Sequence, residues 1–212
     1  MDERLGTVVR AYREWFGDTA RVIVDAGTRD GDDAAWLRDE LNAELVIAVD
    51  ANPVAAERTA AKYPDFVVVE MALADFDGRH SFAQIVSDRK DFEGSSSLTA
   101  YGSFGETNMI EVNVSRFDTM MGWLGYDMPL DVVKVDLEGY TFEFLQGMGE
   151  WLDRVGVFHL ETEKFLRHEG HRDTSEVEAF MFTCGFVLVE RSYEWGPHIE
   201  DQVWLNPRFL VG

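Results

Sequence analysis

The chain reads as an open, doubly wound α/β sheet of seven principal strands, mostly parallel, with an antiparallel C-terminal hairpin and flanking helices. Three observations predict this. From residue 21 to 73, short β-branched runs alternate with helical stretches through short connections, the pattern of right-handed βαβ crossovers. Two more strand-forming runs, 131–137 and 155–163, flank a helical stretch. Residues 185–195 and 201–207 then alternate like a closing hairpin. At 212 residues and 46% hydrophobic, the chain suits one domain, 1–212, with a sizeable core.

Each element has its own signal. In residues 2–16, Leu5, Val8, Val9, Tyr12, Trp15 and Phe16 recur at helical spacing, and Gly17-Asp18 ends the run. The first strand is 21–25. A helix over 32–42 offers Ala34, Ala35, Leu37 and Leu41 to the sheet. The second strand is 45–50, and Asn52-Pro53 starts a helix to Lys62 as N-cap and first-turn proline. Tyr63-Pro64 breaks that helix, and the third strand is 66–73. Residues 80–86 and 109–114 read as strands on either side of a Ser- and Gly-rich loop, 87–108, long enough to be a lid or a binding loop. Ser115 is expected to cap a helix over 116–124 that Gly125 stops. After the strand at 131–137, Gly139 turns the chain into a helix, Tyr140 to Met148. A last helix is expected at 174–184.

The stretch from Val22 to Gly31, VIVDAGTRDG, is a buried strand, a glycine-bearing turn and a helix start. Gly27 allows close approach to the main chain, and the helix start offers free N–H groups. About twenty residues on, the second strand ends in Asp50, where a carboxylate is placed to bind the two hydroxyls of an adenosine ribose. Asp25-Ala26 stands where a dinucleotide fingerprint would have G-x-G, which disfavours a nicotinamide-dependent oxidoreductase. An adenosine ligand with a cationic amino-acid tail, S-adenosylmethionine, fits better. The expected contacts are Asp25, Ala26, Gly27, Thr28 and Gly31 in the first turn, and Asp50, Ala51 and Asn52 in the second. Met71, Ala72 and Leu73 would lie beside the adenine.

With Asp25-Ala26-Gly27, Lys134-Val135-Asp136-Leu137-Glu138-Gly139 and Leu145-Gln146-Gly147 in view, the chain resembles the FkbM family of S-adenosylmethionine-dependent methyltransferases. The resemblance extends to Asp50–Pro53, Ser95–Ser97, Val114–Thr119 and the final VWLNPRF. It implies the Rossmann-like class I methyltransferase architecture with strand order 3-2-1-4-5-7-6. It also implies O-methylation of a hydroxyl on a small molecule, sugar or glycan. The chain departs from the family pattern at Thr28, Arg29 and Asp30, and at Thr141, where the family commonly has Glu. These departures motivate a second reading, a catalytically altered cofactor-binding or partner protein of the same fold.

Methyl transfer to an alcohol needs alignment and removal of a proton. Asp136 and Glu138 stand at the carboxyl edge of the fourth parallel strand, where open α/β folds bind ligands. Asp136 is expected to take the proton or to help hold a divalent cation, with Glu161 as a second ligand. Lys134 either pairs with Asp136 or orients the donor, and Glu138 either serves the chemistry or caps the following helix. His159 and Glu161, near the end of the fifth strand, either complete the cluster or, for His159, sit satisfied in the core. Ser95, Ser96, Ser97 and Tyr101 offer hydroxyls to a polyol acceptor. His168 and His171 lack a third ligand and read as surface loop.

With 40 acids against 19 Lys and Arg, the net charge is −21, which repels phosphate backbones, so no nucleic-acid partner is expected. No apolar run reaches a membrane span, and the charged, amphipathic first residues lack a secretory core, so a cytoplasmic protein is expected. Cys184 is the sole cysteine and sits in an apolar context suited to the core.

Overall fold

The computed structural model describes residues 3–86, 96–98, 106–164, 172–192 and 198–209. Helix α1 (Glu3–Phe16) precedes β1 (Val22–Ala26), α2 (Asp32–Leu41), β2 (Leu45–Asp50), α3 (Pro53–Lys62) and β3 (Val67–Glu70). The short β4 (Ala72–Leu73) and the long β5 (Gly78–Val86) and β6 (Glu106–Ser115) follow. Then come α4 (Phe117–Leu124), β7 (Leu130–Val135), α5 (Thr141–Gly147), a 3₁₀ turn (Gly149–Arg154) and β8 (Val155–Glu163). The chain closes with α6 (Thr174–Thr183), β9 (Val187–Ser192) and β10 (Ile199–Leu205). No described helix is long and apolar enough to cross a membrane.

The main sheet has seven strands in the order β3-β2-β1-β7-β8-β10-β9. All neighbours are parallel except β10, which is antiparallel to both β8 and β9. This is the expected 3-2-1-4-5-7-6 order, with the chain crossing outward from β1 in both directions. The period-two alternation of the strands divides the core in two. Val22, Val24 and Val49 point into a cluster with Phe117, Met120, Phe144 and Met181 from α4, α5 and α6. Ile23, Val46 and Ala48 point the other way, onto Leu5, Tyr12, Leu37 and Leu41 from α1 and α2. Burying both faces explains why the inner strands are near-continuous apolar runs.

The register of β1 on β7 is held at the edge of the sheet away from the functional turns. Asp131 is buried there and accepts from Tyr12 Oη (2.5 Å), Arg21 N (2.9 Å) and Val22 N (2.8 Å). One carboxylate thus ties α1, β1 and β7 together and satisfies two backbone donors at the strand start.

Four expectations are corrected. The run 66–73 is two strands. The chain leaves the main sheet at Met71, and β4 joins a second, three-stranded sheet of order β4-β6-β5. That sheet holds the antiparallel β5–β6 ribbon, from Gly78↔Val114 to Val86↔Glu106, so strand structure extends beyond both expected runs and into the expected loop at 106–108. Ser115 does not cap the next helix. It ends β6, and its hydroxyl donates to Asp77 Oδ1 (2.9 Å), which also accepts from the Arg116 amide (2.9 Å) at the N-cap position. Finally, β7 stops at Val135, short of Leu137, so Asp136 and Glu138 lie in the turn beyond the strand.

Candidate active site

In one half of the candidate site, two turns at the carboxyl edge of the sheet carry the residues expected to contact the cofactor. In the first, Gly27 and Thr28 donate backbone N–H groups to the Val49 carbonyl (2.9 and 3.1 Å), which pins the turn to β2. Gly27 has φ +84°, and a Cβ there would lie 1.8 Å from the Asp136 carbonyl oxygen. The close approach that requires glycine is therefore made by the protein's own next turn. Arg29 also adopts a left-handed conformation (φ +53°), and its amide donates to Asp50 Oδ2 (2.8 Å). Gly31, likewise left-handed, is the N-cap of α2 with no side-chain cap; its amide donates to the Thr28 carbonyl (2.9 Å), and the Asp32 amide, expected to be open to a ligand, donates to Asp30 Oδ1 (3.3 Å).

Asp50 is the better-placed acid of this half. Its two oxygens each accept one backbone amide, Oδ2 from Arg29 and Oδ1 from Asn52 (both 2.8 Å). A carboxylate has about four acceptor positions, so capacity remains on both oxygens for two vicinal hydroxyls. Burial pushes the Asp50 carboxyl up to about 6; the Asn52 and Arg29 amides oppose the rise, and the Asp25 and Asp136 charges add to it. Asn52 caps α3 as expected, accepting from Val54 N (3.1 Å), and its Oδ1 also accepts from Gln84 Nε2 (2.8 Å) on β5. Ala51 is half-buried beside it, and Met71, Ala72 and Leu73 run past the same edge, the last two buried.

Asp25 is placed differently from the expected ligand contact. It is fully buried, and its carboxylate accepts from Thr28 Oγ1 (2.8 Å) and Lys134 Nζ (3.2 Å). It supports the turn from below. Lys134 is also buried and lies 3.4 Å from Asp33 and 3.9 Å from Asp136. Burial works against its charge, but Asp25, Asp136 and Asp33 outweigh that and hold the ammonium above the ordinary lysine range. Lys134 therefore pairs with the acids of both turns.

The second half gathers acids. One carboxylate oxygen each from Asp136, Glu138 and Glu161 lies within 4.8 Å of the other two. Such a set could hold a divalent cation or share a proton. Burial raises Glu161 well above the usual carboxylate range, and the charges of Asp136, Glu138 and Asp201 raise it further against the pull of Lys134. Glu138 lies two residues before Tyr140, the N-cap residue of α5. It adopts a left-handed conformation (φ +48°) that costs about 1–2 kcal/mol for a residue with a Cβ, followed by Gly139 at φ +97°. Buried His159 sits two residues before Glu161 on β8, with Nε2 4.0 Å from Asp201 Oδ1 on β10.

Two side chains that bear on this cluster escape sequence reasoning. The Thr141 hydroxyl donates to the Glu161 carbonyl (2.7 Å), tying the start of α5 to β8. Ser97, expected to face the acceptor, is 2% exposed, and its hydroxyl donates to the Glu138 carbonyl (3.0 Å). The Ser96 hydroxyl accepts from Ile85 N (3.1 Å). A polar residue in a Ser-rich loop gives no hint that it reaches another turn's backbone. Ser95, Tyr101, His168 and His171 lie outside the described residues.

The architecture is matched among known proteins. The family model described as the methyltransferase FkbM domain matches residues 25–188. No curated protein matches. Among solved structures, M. capricolum TrmK bound to S-adenosylhomocysteine is similar at 10% identity and TM-score 0.54, over 99% of this chain and 70% of that one. An rRNA methylase from Streptococcus thermophilus aligns at 12% identity and TM-score 0.52, over 95% of both chains. The N-methyltransferase NodS from Bradyrhizobium japonicum WM9 aligns at 13% identity and TM-score 0.52, over 97% of this chain and 95% of that one. At these identities the likeness is one of fold.

Proposed function

The chain belongs to the FkbM methyltransferase family, and on that premise we propose that it transfers a methyl group from S-adenosylmethionine to a hydroxyl of a small molecule, sugar or glycan. The observation that carries the reading is one sheet edge holding two complementary halves. Asp50 keeps acceptor capacity for a ribose, and Asp136, Glu138 and Glu161 cluster beyond the next strand.

Bound S-adenosylmethionine supplies an electrophilic methyl group on a sulfonium. The chain's residues do the rest. Asp50 takes the ribose hydroxyls, the Gly27–Gly31 turn takes the amino-acid part through its main chain, and Met71, Ala72 and Leu73 flank the adenine. The acceptor oxygen forms its bond to the methyl carbon as the carbon–sulfur bond breaks, and its proton passes to Asp136. Glu138 and Glu161 surround the developing charge, and the Lys134 ammonium stands beside Asp136 on one side. Should a divalent cation take part, Asp136 and Glu161 would hold it, and chelation would then abolish turnover.

The net charge of −21 supports a small acceptor over a nucleic acid. The test is formation of S-adenosylhomocysteine with a panel of sugars and polyols, against RNA and amine controls. Turnover with a hydroxyl acceptor is the expected result. Donor binding without turnover on any acceptor would favour the catalytically altered reading that Thr141 motivates.

A further inference from the structure

We infer that Ser97 is a positioning residue: from the second sheet, its hydroxyl sets the Glu138 turn and so aims the carboxylates of the acidic cluster. The role deepens the methyltransferase reading and rests on it for its effect on turnover.

Ser97 itself is held firmly. It pairs with Ala83 of β5 through two backbone hydrogen bonds, Ala83 N to Ser97 O (2.8 Å) and Ser97 N to Ala83 O (3.2 Å). Leu98, next to it, is buried with Phe82, Val112 and Val114 in the core of the second sheet. The serine hydroxyl therefore projects from a fixed platform onto the Glu138 carbonyl. What it holds is a turn under tension. Glu138 and Gly139 are consecutive left-handed residues, and only the second is glycine. A residue with a Cβ stays in that conformation when its surroundings over-determine it.

Three separate elements grip the turn and its flanks. The Asp136 amide donates to the Ala26 carbonyl of β1 (2.9 Å). Thr141 donates to the Glu161 carbonyl of β8. Ser97 supplies the grip from the second sheet, and Tyr140 packs against that sheet's core. With the carbonyl of Glu138 pinned outward, its side chain is left facing Asp136 and Glu161. Removing the hydroxyl would let the peptide relax and carry that carboxylate away.

The test uses the full chain labelled with ¹³C-glutamate, the carboxyl signals being assigned with Glu138→Gln and Glu161→Gln. Ser97→Ala should move the carboxyl resonances of Glu138 and Glu161 at fixed pH and leave donor affinity within about twofold. It should lower kcat about ten- to a hundredfold at unchanged donor KM, the scale of a small misalignment. Ser97→Thr, which keeps the hydroxyl, should restore both. If Ser97→Ala proves unfolded, Ser97→Cys, of similar size and a weak donor, serves the same comparison. Unchanged carboxyl resonances and turnover would overturn the role. So would a fall in turnover that tracks lost stability and donor affinity, which would make Ser97 merely structural. The carboxyl resonances need no acceptor, so a protein that bound no S-adenosylmethionine would fail the methyltransferase reading while still deciding the role of Ser97.

Discussion

Asp131 and Asp136 stand at opposite ends of β7, and their surroundings could hardly differ more. Asp131 is buried among donors, taking hydrogen bonds from a tyrosine hydroxyl and two amides. Asp136 lies among acids, with Glu138 and Glu161 close by and Lys134 at 3.9 Å. The first arrangement surrounds a buried carboxylate with donors, and the second crowds carboxylates together, which with burial raises Glu161 well above the usual range. A fold tolerates the second where the strain serves chemistry, so one end of the strand is read as structure and the other as function.

Substitutions at the two ends should separate these roles. Asp136→Asn should lower methyl transfer at least about a hundredfold, the lower scale of general-base effects, with donor affinity and stability retained. Full turnover in that variant would remove Asp136 from the chemistry. Asp131→Ala should do the reverse. Leaving Tyr12 and two amides without their acceptor should cost about 2–3 kcal/mol in urea unfolding, while activity per folded molecule stays level. A loss of turnover without loss of stability there would break the contrast.

Two smaller effects follow from protonation. Asp50, pushed up to about 6, accepts ribose hydroxyls best when ionised, so donor binding releases its proton. Donor affinity should therefore fall about tenfold from pH 7 to pH 5, and Asp50→Asn should flatten that slope in calorimetry. Glu161 is raised in the folded state, so the folded protein binds its proton more tightly than the unfolded chain does. That group favours folding at low pH, and its contribution is lost as pH rises above the unfolded value. Glu161→Gln should accordingly raise Tm by a few degrees at pH 8, with the gain shrinking toward pH 4; a uniform shift across pH would contradict this.

Much of the fold was legible because the strands are strongly patterned. Residues 45–50 and 155–163 are strands at the expected bounds, since apolar runs buried on both faces end where charge and turn residues begin. Asp50, Asn52 and Asp136 were legible as strand-end and cap positions. The break at Met71 was not, because FVVVEMAL is apolar throughout and only tertiary pairing tells its two sheets apart. Asp25 and Ser97 were misjudged in direction for a related reason. A local pattern reveals that a polar side chain stands at a turn, and the partners that turn it inward, Lys134 and the Glu138 carbonyl, are distant in the chain. Gly27 was legible as a required glycine, while its cause, the Asp136 carbonyl, was hidden in the same way.

The most direct measurement is calorimetric titration of the full chain and of Asp136→Asn with S-adenosylmethionine at pH 7.5, with NAD as control. Binding of S-adenosylmethionine by both proteins at similar affinity, with NAD inert, is the expected result. It would separate the cofactor half at Asp50 from the chemical half at Asp136. No binding by the folded wild-type protein, or binding of NAD in its place, would contradict the assignment of this sheet edge.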